Sequence, residues 1–232
     1  MATELSRSQA VEDYVKAIFA LEGRSSEPVS TNALAARLAI TPGSVSAMLK
    51  KLDELGLTTH VPYRGVRLTK RGRLLALEMV RHHRLLELFL AEALEMPWDR
   101  VHAEAEVLEH VLSEDLEALI AAKLGHPTLD PHGDPIPTAD LHLDERATQS
   151  LESLEPGDRA TFVRVSDSDP EMLRYLGECG IAPGDRFLVR SRQPFGGPLF
   201  LSFGEREQTI GGALAHAMRV VLECEDSQVG GN

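Results

Sequence analysis

Ten residues, VHAEAEVLEH at 101–110, hold His102, Glu104, Glu106, Glu109 and His110. Imidazole and carboxylate are donors for divalent cations, and with no thiol or thioether in the set, Mn(II) or Fe(II) is favoured over a soft-site ion. If residues 99–124 form one helix and His102 is set at 0°, Glu106, Glu109 and His110 fall at roughly 40°, −20° and 80°. They make one band beside an apolar stripe of Val101, Ala105, Leu108, Leu112, Leu116 and Leu119. Glu104 points away, into solvent. Upstream, His83 and Glu87 sit one turn apart on a single helical face, with His82 as a surface neighbour, and Asp13 lies on the first helix. Three helices are thus placed to converge on one or two divalent cations. Three clustered carboxylates repel one another without a cation, so binding would draw the helices together. The bland alternative is a solvated face of Glu and His. The paired Glu-x-x-His motifs of di-iron bundles are missing, since Val107 stands three before His110. HExxH is absent, which removes a zinc protease.

These ligands need elements to hold them. SQAVEDYVKAIFALE (8–22) places Val11, Tyr14, Val15, Ile18, Phe19 and Leu21 on one stripe, an amphipathic helix. Thr31 is placed to cap a short helix, ITPGS makes a turn, and SVSAMLKKLDELG forms a second helix stopped by Gly56. TTHVPY-RG-VRLT reads as a β-hairpin with Gly65 in the turn. Helix, short helix, turn, helix and hairpin are the order of a winged helix-turn-helix, with Leu34, Leu38, Val45, Met48, Leu49, Leu52 and Leu55 as its core. Its second helix would enter the major groove. Thr41, Ser44 and Ser46 are short hydroxyl residues suited to phosphates and base edges, while Lys50, Lys51, Arg64 and Arg67 suit the backbone. A helical packing module without DNA is the alternative.

A long helix from Lys70 carries His83 and Glu87 and ends at MPWD. Leu74, Leu77, Leu85, Leu88, Phe89 and Leu116 are more apolar surface than one helix pair hides, which predicts a homodimer matching two-fold DNA half-sites. Residues 125–150 are rich in Pro, Asp and Gly and read as a linker, although their length also permits a binding loop. Beyond them, RATFVRV, DRFLVRS and PLFLSFG alternate as strands around the helix DPEMLRYLGECG, a small β-barrel with one helix.

The chain of 232 residues is long enough for two or three domains. Its net charge of −12 hides a basic window: residues 30–75 carry +6, leaving −18 elsewhere. One basic face on an acidic body suits both DNA and cations. No apolar run is long enough to span a membrane and no signal-peptide pattern opens the chain, so a cytoplasmic protein is expected. Cys179 and Cys224 build no disulfide framework and are expected as thiols.

Taken with these residues, AVEDYVKAIF, TPGSVSAMLKKLDELGL, YRGVRLTKRG, RHHRLLELFL and VHAEAEVLEHVLSEDLE resemble the diphtheria-toxin-repressor family of metal-dependent transcriptional regulators, most closely its manganese-type branch. LEPGD, LGECGIAPGD, PFGGP and ALAHAMRV resemble the SH3-like, FeoA-type domain of its longer members. The resemblance implies a primary activating site at Asp13, Glu106, Glu109 and His110. It implies an ancillary site at His83, Glu87 and His102, joined by Glu171 and, near a further position, Tyr175. Iron-type members carry Met at the position of Asp13 and Cys at that of Glu106; carboxylates at both imply Mn(II) as preferred ion, with Fe(II) second and other divalent transition metals in vitro. Manganese-type members often have Glu where Lys16 stands, so the ancillary layout implied is that of the iron type.

The expected fold is mainly α with a small β domain: a winged helix-turn-helix at 1–73, a helical metal-binding and dimerisation domain at 74–140, a linker at 141–150, and the SH3-like barrel at 151–226. The expected function is a metal-activated repressor of manganese and iron uptake genes, binding a palindromic duplex operator as a homodimer, without a membrane role. A constitutive structural cation in a DNA-binding regulator is the second reading. A metal-dependent enzyme or metal buffer is the third, and no nucleophile–base pair accompanies the ligands to support it.

Overall fold

The computed structural model describes residues 8–23, 27–61, 63–144 and 146–223. They fall into two compact units. The first comprises Met1–Leu86, Ala105–Thr128 and Ile136–Leu143, the second Glu87–Glu104, Leu129–Pro135 and Asp144–Asn232.

In the first unit, α1 (Gln9–Glu22) buries Val11, Tyr14, Val15 and Ile18, as its stripe predicts. Helix α2 (Thr31–Arg37) starts at the residue expected to cap it, and the cap lies one residue earlier: Ser30, not Thr31, accepts the Ala33 N–H at 3.2 Å. Helix α3 (Pro42–Glu54) is capped by Thr41, whose Oγ1 accepts the Ser44 N–H, and Pro42 occupies its first turn, where a missing N–H costs nothing. Leu34, Val45 and Leu52 are fully buried between these helices. Strands β1 (Thr58–Val61) and β2 (Gly65–Leu68) form the expected antiparallel hairpin, Thr58 facing Leu68. Val29 bridges onto Val66, and a Cβ on Gly65 would come 2.0 Å from the Val29 oxygen, so this close approach requires glycine.

Helix α4 (Lys70–Leu94) runs as predicted. The helix expected over 99–124 is two helices, α5 (Val101–Leu108) and α6 (Glu114–Lys123), with a turn at 109–113. The cause is local: the Ser113 side chain accepts the Leu116 N–H at 3.3 Å, and Glu114, Asp115 and Glu117 complement the dipole of the new N-terminus. The predicted apolar stripe holds at Val101 and Ala105, both fully buried, and fails from Leu108, exposed at the end of α5, through Leu116 and Leu119, exposed beyond the break. Leu77, Leu85 and Leu88 are buried within the chain, so they need no partner. Leu74, Val107, Val111, Leu116 and Leu119 remain exposed.

The second unit is built on a six-stranded antiparallel sheet in the order β3-β8-β4-β5-β6-β7. Its strands are β3 (Gln149–Ser150), β4 (Arg159–Arg164), β5 (Arg186–Arg192), β6 (Leu199–Phe203), β7 (Arg206–Ile210) and β8 (Arg219–Leu222). Alternation sends Ala160, Phe162, Phe187, Val189, Leu199, Leu201 and Phe203 inward, against Leu173 and Leu176 of α7 (Pro170–Glu178). A short α8 (Gly212–Ala217) accompanies α7, where one helix was expected. The sheet begins at Gln149, two residues inside the segment 141–150 read as linker. Part of the wider Pro- and Asp-rich stretch is also built in: Asp130, His132 and Ile136 are buried. No helix among the described residues is long and apolar enough to cross a membrane. Cys179 is a free thiol, and Cys224 lies outside the described residues.

Candidate metal centre

The break after α5 shapes the centre. Glu106 is on the helix, whereas Glu109 and His110 lie in the turn that follows, so the single-helix angles do not describe them. The turn still delivers both side chains to α1. His110 Nε2 is 3.0 Å from Asp13 Oδ1 and 3.7 Å from Glu109 Oε1. The ligand atoms of Asp13, Glu109 and His110 lie within 4.8 Å of one another, as do those of His83, Glu106 and Glu109.

Two residues outside the expected set hold this arrangement. Glu12, 7% exposed, accepts from His110 Nδ1 at 2.7 Å. That bond places the ring hydrogen on Nδ1 and turns the Nε2 lone pair toward Asp13 and Glu109, the carboxylate–histidine arrangement typical of metal ligands. Its signal was legible: with Val11, Val15, Ile18 and Phe19 it occupies the apolar stripe of α1, an odd position for a charge. Lys16 donates to Glu106 Oε1 and Glu109 Oε1, both at 2.6 Å. Burial works against its charge, but Glu109 and Glu106 outweigh that and raise the ammonium above lysine's ordinary value. Glu109, its side chain fully buried, is held below the carboxylate range despite burial by His83 and Lys16. Burial pushes Asp13 up against the pull of His110 and Lys16. The Lys16 ammonium thus offsets part of the charge of a partly buried carboxylate cluster whose hard-oxygen and imidazole donors, with no sulfur, fit a first-row divalent cation.

His82, expected in solvent, is buried. Its Nδ1 lies 3.2 Å from the Glu109 carbonyl oxygen and its Nε2 3.0 Å from Glu117 Oε2. Arg81 completes this group, donating to Glu117 at 2.6 Å and to the Pro137 carbonyl. His83 meets the primary cluster: its Nδ1 bonds Glu109 Oε2 at 2.5 Å.

In the second unit, Glu87 and His102 come together as expected, Nδ1 of His102 being 3.2 Å from Glu87 Oε1. The further oxygen comes from Asp167, not Glu171: Asp167 Oδ2 is 3.1 Å from the same nitrogen. Helix α7 starts at Pro170 with Asp169 as its cap, which puts Glu171 in an exposed first turn and leaves Asp167 in the loop before it. Tyr175 is exposed as well. Asp167 and Glu87 push His102 up to about 10, so a cation here competes with a proton. Glu104 is exposed, as expected.

The nucleic-acid candidates are on the surface of the first unit. Thr41, Ser44, Ser46, Lys50 and Lys51 are exposed on or before α3, and Arg64 and Arg67 on the hairpin beside an exposed Tyr63. Thr41 is also the helix cap, and Ser46 Oγ bonds the Pro42 carbonyl at 3.0 Å.

Comparison with known proteins covers both units. Family models match residues 6–66 (iron-dependent repressor, N-terminal DNA-binding domain), 69–138 (iron-dependent repressor, metal-binding and dimerisation domain) and 149–222 (FeoA domain). The chain is 31% identical to the iron-dependent repressor IdeR of Mycobacterium tuberculosis, over 90% of this chain and 95% of that protein. It is 30% identical to the diphtheria toxin repressor of Corynebacterium diphtheriae, over 71% of this chain and 70% of that one. A solved manganese-dependent transcriptional repressor in complex with manganese superposes with a TM-score of 0.84 at 42% identity, covering 92% of this chain and all of that one.

Proposed function

The chain belongs to the diphtheria-toxin-repressor family of metal-dependent transcriptional repressors, and from that premise we propose that it is a homodimeric repressor of manganese and iron uptake genes. Mn(II) is its preferred activator, Fe(II) the second, and other divalent transition metals substitute in vitro. The manganese complex of its 42%-identical relative supports that preference, as do the sulfur-free donors at Asp13 and Glu106.

One observation carries the reading: the primary ligand set joins α1 to the turn after α5, with Asp13 on the first and Glu109 and His110 on the second. Helix α1 is also a wall of the DNA-binding fold. It packs against α2 and β2, and Glu22 at its end accepts the Leu68 N–H of the hairpin at 2.9 Å. A shift of Asp13 toward His110 therefore moves the body that carries α3 and the hairpin. When bound, a divalent cation supplies the charge that holds these carboxylates and the imidazole together. Glu12 keeps the His110 lone pair directed inward, and Lys16 must give up its two carboxylates. The exposed Val107, Val111, Leu116 and Leu119 give a second copy an apolar face. Two copies then present two α3 helices to successive major grooves of a palindromic operator. Ser44, Ser46, Lys50, Lys51, Arg64 and Arg67 supply the contacts, and Thr41 does so while capping α3.

The test titrates the stripped protein with Mn(II), Fe(II) under anaerobic conditions, and Zn(II), at fixed salt. The duplex is one selected from random sequences by the Mn(II)-loaded protein. Binding should appear with Mn(II) or Fe(II) and vanish in Asp13→Ala. Equal binding with and without metal, after verified stripping, would refute activation and leave a structural cation.

A further inference from the structure

The outward face of the second unit's sheet carries more arginine than carboxylate. Phe187 and Val189 of β5 are buried, which turns Arg186, Leu188 and Arg190 to the opposite side; burial of Ala160 does the same for Arg159 of β4. Arg159 pairs with Leu188, and Leu188 pairs with Ser202 of β6, so one row crosses three strands. Arg186 and Arg190 stand two residues before and after Leu188, each roughly 7 Å away along the strand. Arg190 falls inside the bulge between Val189 and Ser191 and has no register partner, the setting in which a sheet re-aims a side chain.

The three arginines, Leu188, Ser202 and Glu223 line a cavity of about 420 Å³, within the roughly 300–1,000 Å³ of small-molecule sites. Three guanidinium groups meet one carboxylate there. Glu223 engages Arg186, which donates through Nε and Nη2 at 2.5 and 2.6 Å, the forked geometry of carboxylate recognition. Arg186 first, and Arg159 as well, hold Glu223 below the ordinary carboxylate range. Arg159 and Arg190 are exposed, and neither side chain makes a hydrogen bond or ion pair among the described residues. Ser202 Oγ donates to the Gly204 carbonyl at 3.0 Å, so the arginines are the donors that face the cavity. In a chain of net charge −12 this is a local positive face, which concentrates anions.

We propose that this face binds a small organic dianion, two acidic groups on a body of a few carbons. Arg159 and Arg190, the two guanidinium groups without a carboxylate, take one acidic group each. The half-buried Leu188 beside both of them covers the carbons. Arg186 stays with Glu223, whose charge turns away a third acidic group. A guanidinium fork matches carboxylate and phosphate alike, so the acidic groups are of either kind. None of these residues belongs to the ligand sets for the divalent cation or to the proposed DNA contacts, so the site stands or falls apart from both.

The experiment titrates the full chain at one ionic strength, set with sodium chloride. Glutarate probes the carboxylate source, propane-1,3-diyl bisphosphate the phosphate source, and acetate is the control with one acidic group. Calorimetry gives affinity and stoichiometry, and the arginine Nε–H resonances report which side chains engage. One of the two dianions should bind saturably, one per chain, with a Kd below about 1 mM, and acetate at least about tenfold more weakly. Which dianion binds identifies the source. Arg159→Gln and Arg190→Gln should each weaken it at least about tenfold. Arg100→Gln removes the same charge from an exposed arginine of the same unit outside the cavity and should leave it unchanged. No saturable binding of either dianion, acetate bound as tightly, or equal weakening in Arg100→Gln overturns the site and leaves a general effect of charge. Should a variant fail to fold, the Arg159 and Arg190 resonances of the unaltered chain decide: both shift with the dianion, or the proposal fails.

Discussion

Replacing Lys16 by Met removes the ammonium that bridges Glu106 and Glu109 while keeping most of the aliphatic stem. A unit pair at 2.6 Å in an effective dielectric of about 20 is worth roughly 6 kcal/mol before desolvation. Desolvation takes back a large share, and removing one partner of a buried pair costs about 3–5 kcal/mol. Glu106 is 39% exposed and can be hydrated, and Glu109 keeps His83, so the lower end applies, about 3 kcal/mol. Urea unfolding of the metal-free variant at pH 7, with chelator present, should show that loss. Mn(II) should reverse it, because the cation restores the missing charge. Isothermal titration should also find Mn(II) bound at least about tenfold tighter, since the ligands no longer release an internal cation; tenfold corresponds to about 1.4 kcal/mol. A metal-free variant as stable as the parent, with unchanged Mn(II) affinity, would show that Lys16 is not the counterion of this cluster.

Glu12→Gln leaves every proposed ligand in place but weakens the group that orients His110; Mn(II) affinity by titration should fall about 10- to 100-fold. His82 and Arg81 hold Glu117 below the ordinary carboxylate range. Its contribution is therefore present above the unfolded carboxylate pKa of about 4.3 and lost as pH falls through the lower folded value. Urea midpoints of Glu117→Gln and the parent should converge as pH falls below about 5, and should also draw closer above the ordinary imidazole range, where His82, raised by Glu117, loses its proton. Ser113→Ala removes the cap of α6 and should cost about 1 kcal/mol in the same assay; no loss would mean the 109–113 turn is held by other contacts.

Much of this protein is written locally. The stripes of α1 and α4, the Thr41-Pro42 start of α3 and the Arg64-Gly65 turn each follow from side-chain period, a cap or a glycine, which need no distant partner. The donor types at Asp13, Glu106, Glu109 and His110 were equally readable, since residue chemistry does not depend on fold. Even the break after α5 had a local sign in Ser113 and its acidic successors.

Pairings across long stretches of chain were decided only by tertiary structure. Nothing near Lys16 indicates that its ammonium reaches Glu106 and Glu109, about ninety residues on. Glu12 became legible only as a charge on an apolar face, and its partner His110 not at all. The choice of Asp167 over Glu171 turned on where α7 begins relative to His102. The burial of His82 and His132 likewise depends on what packs over them, Glu117 in one case and the sheet beneath the Asp130 turn in the other. Residue types and their periods thus set which donors and helices exist. Chain packing, which alone sets distance and desolvation, decided which donors meet and which charges neutralise them.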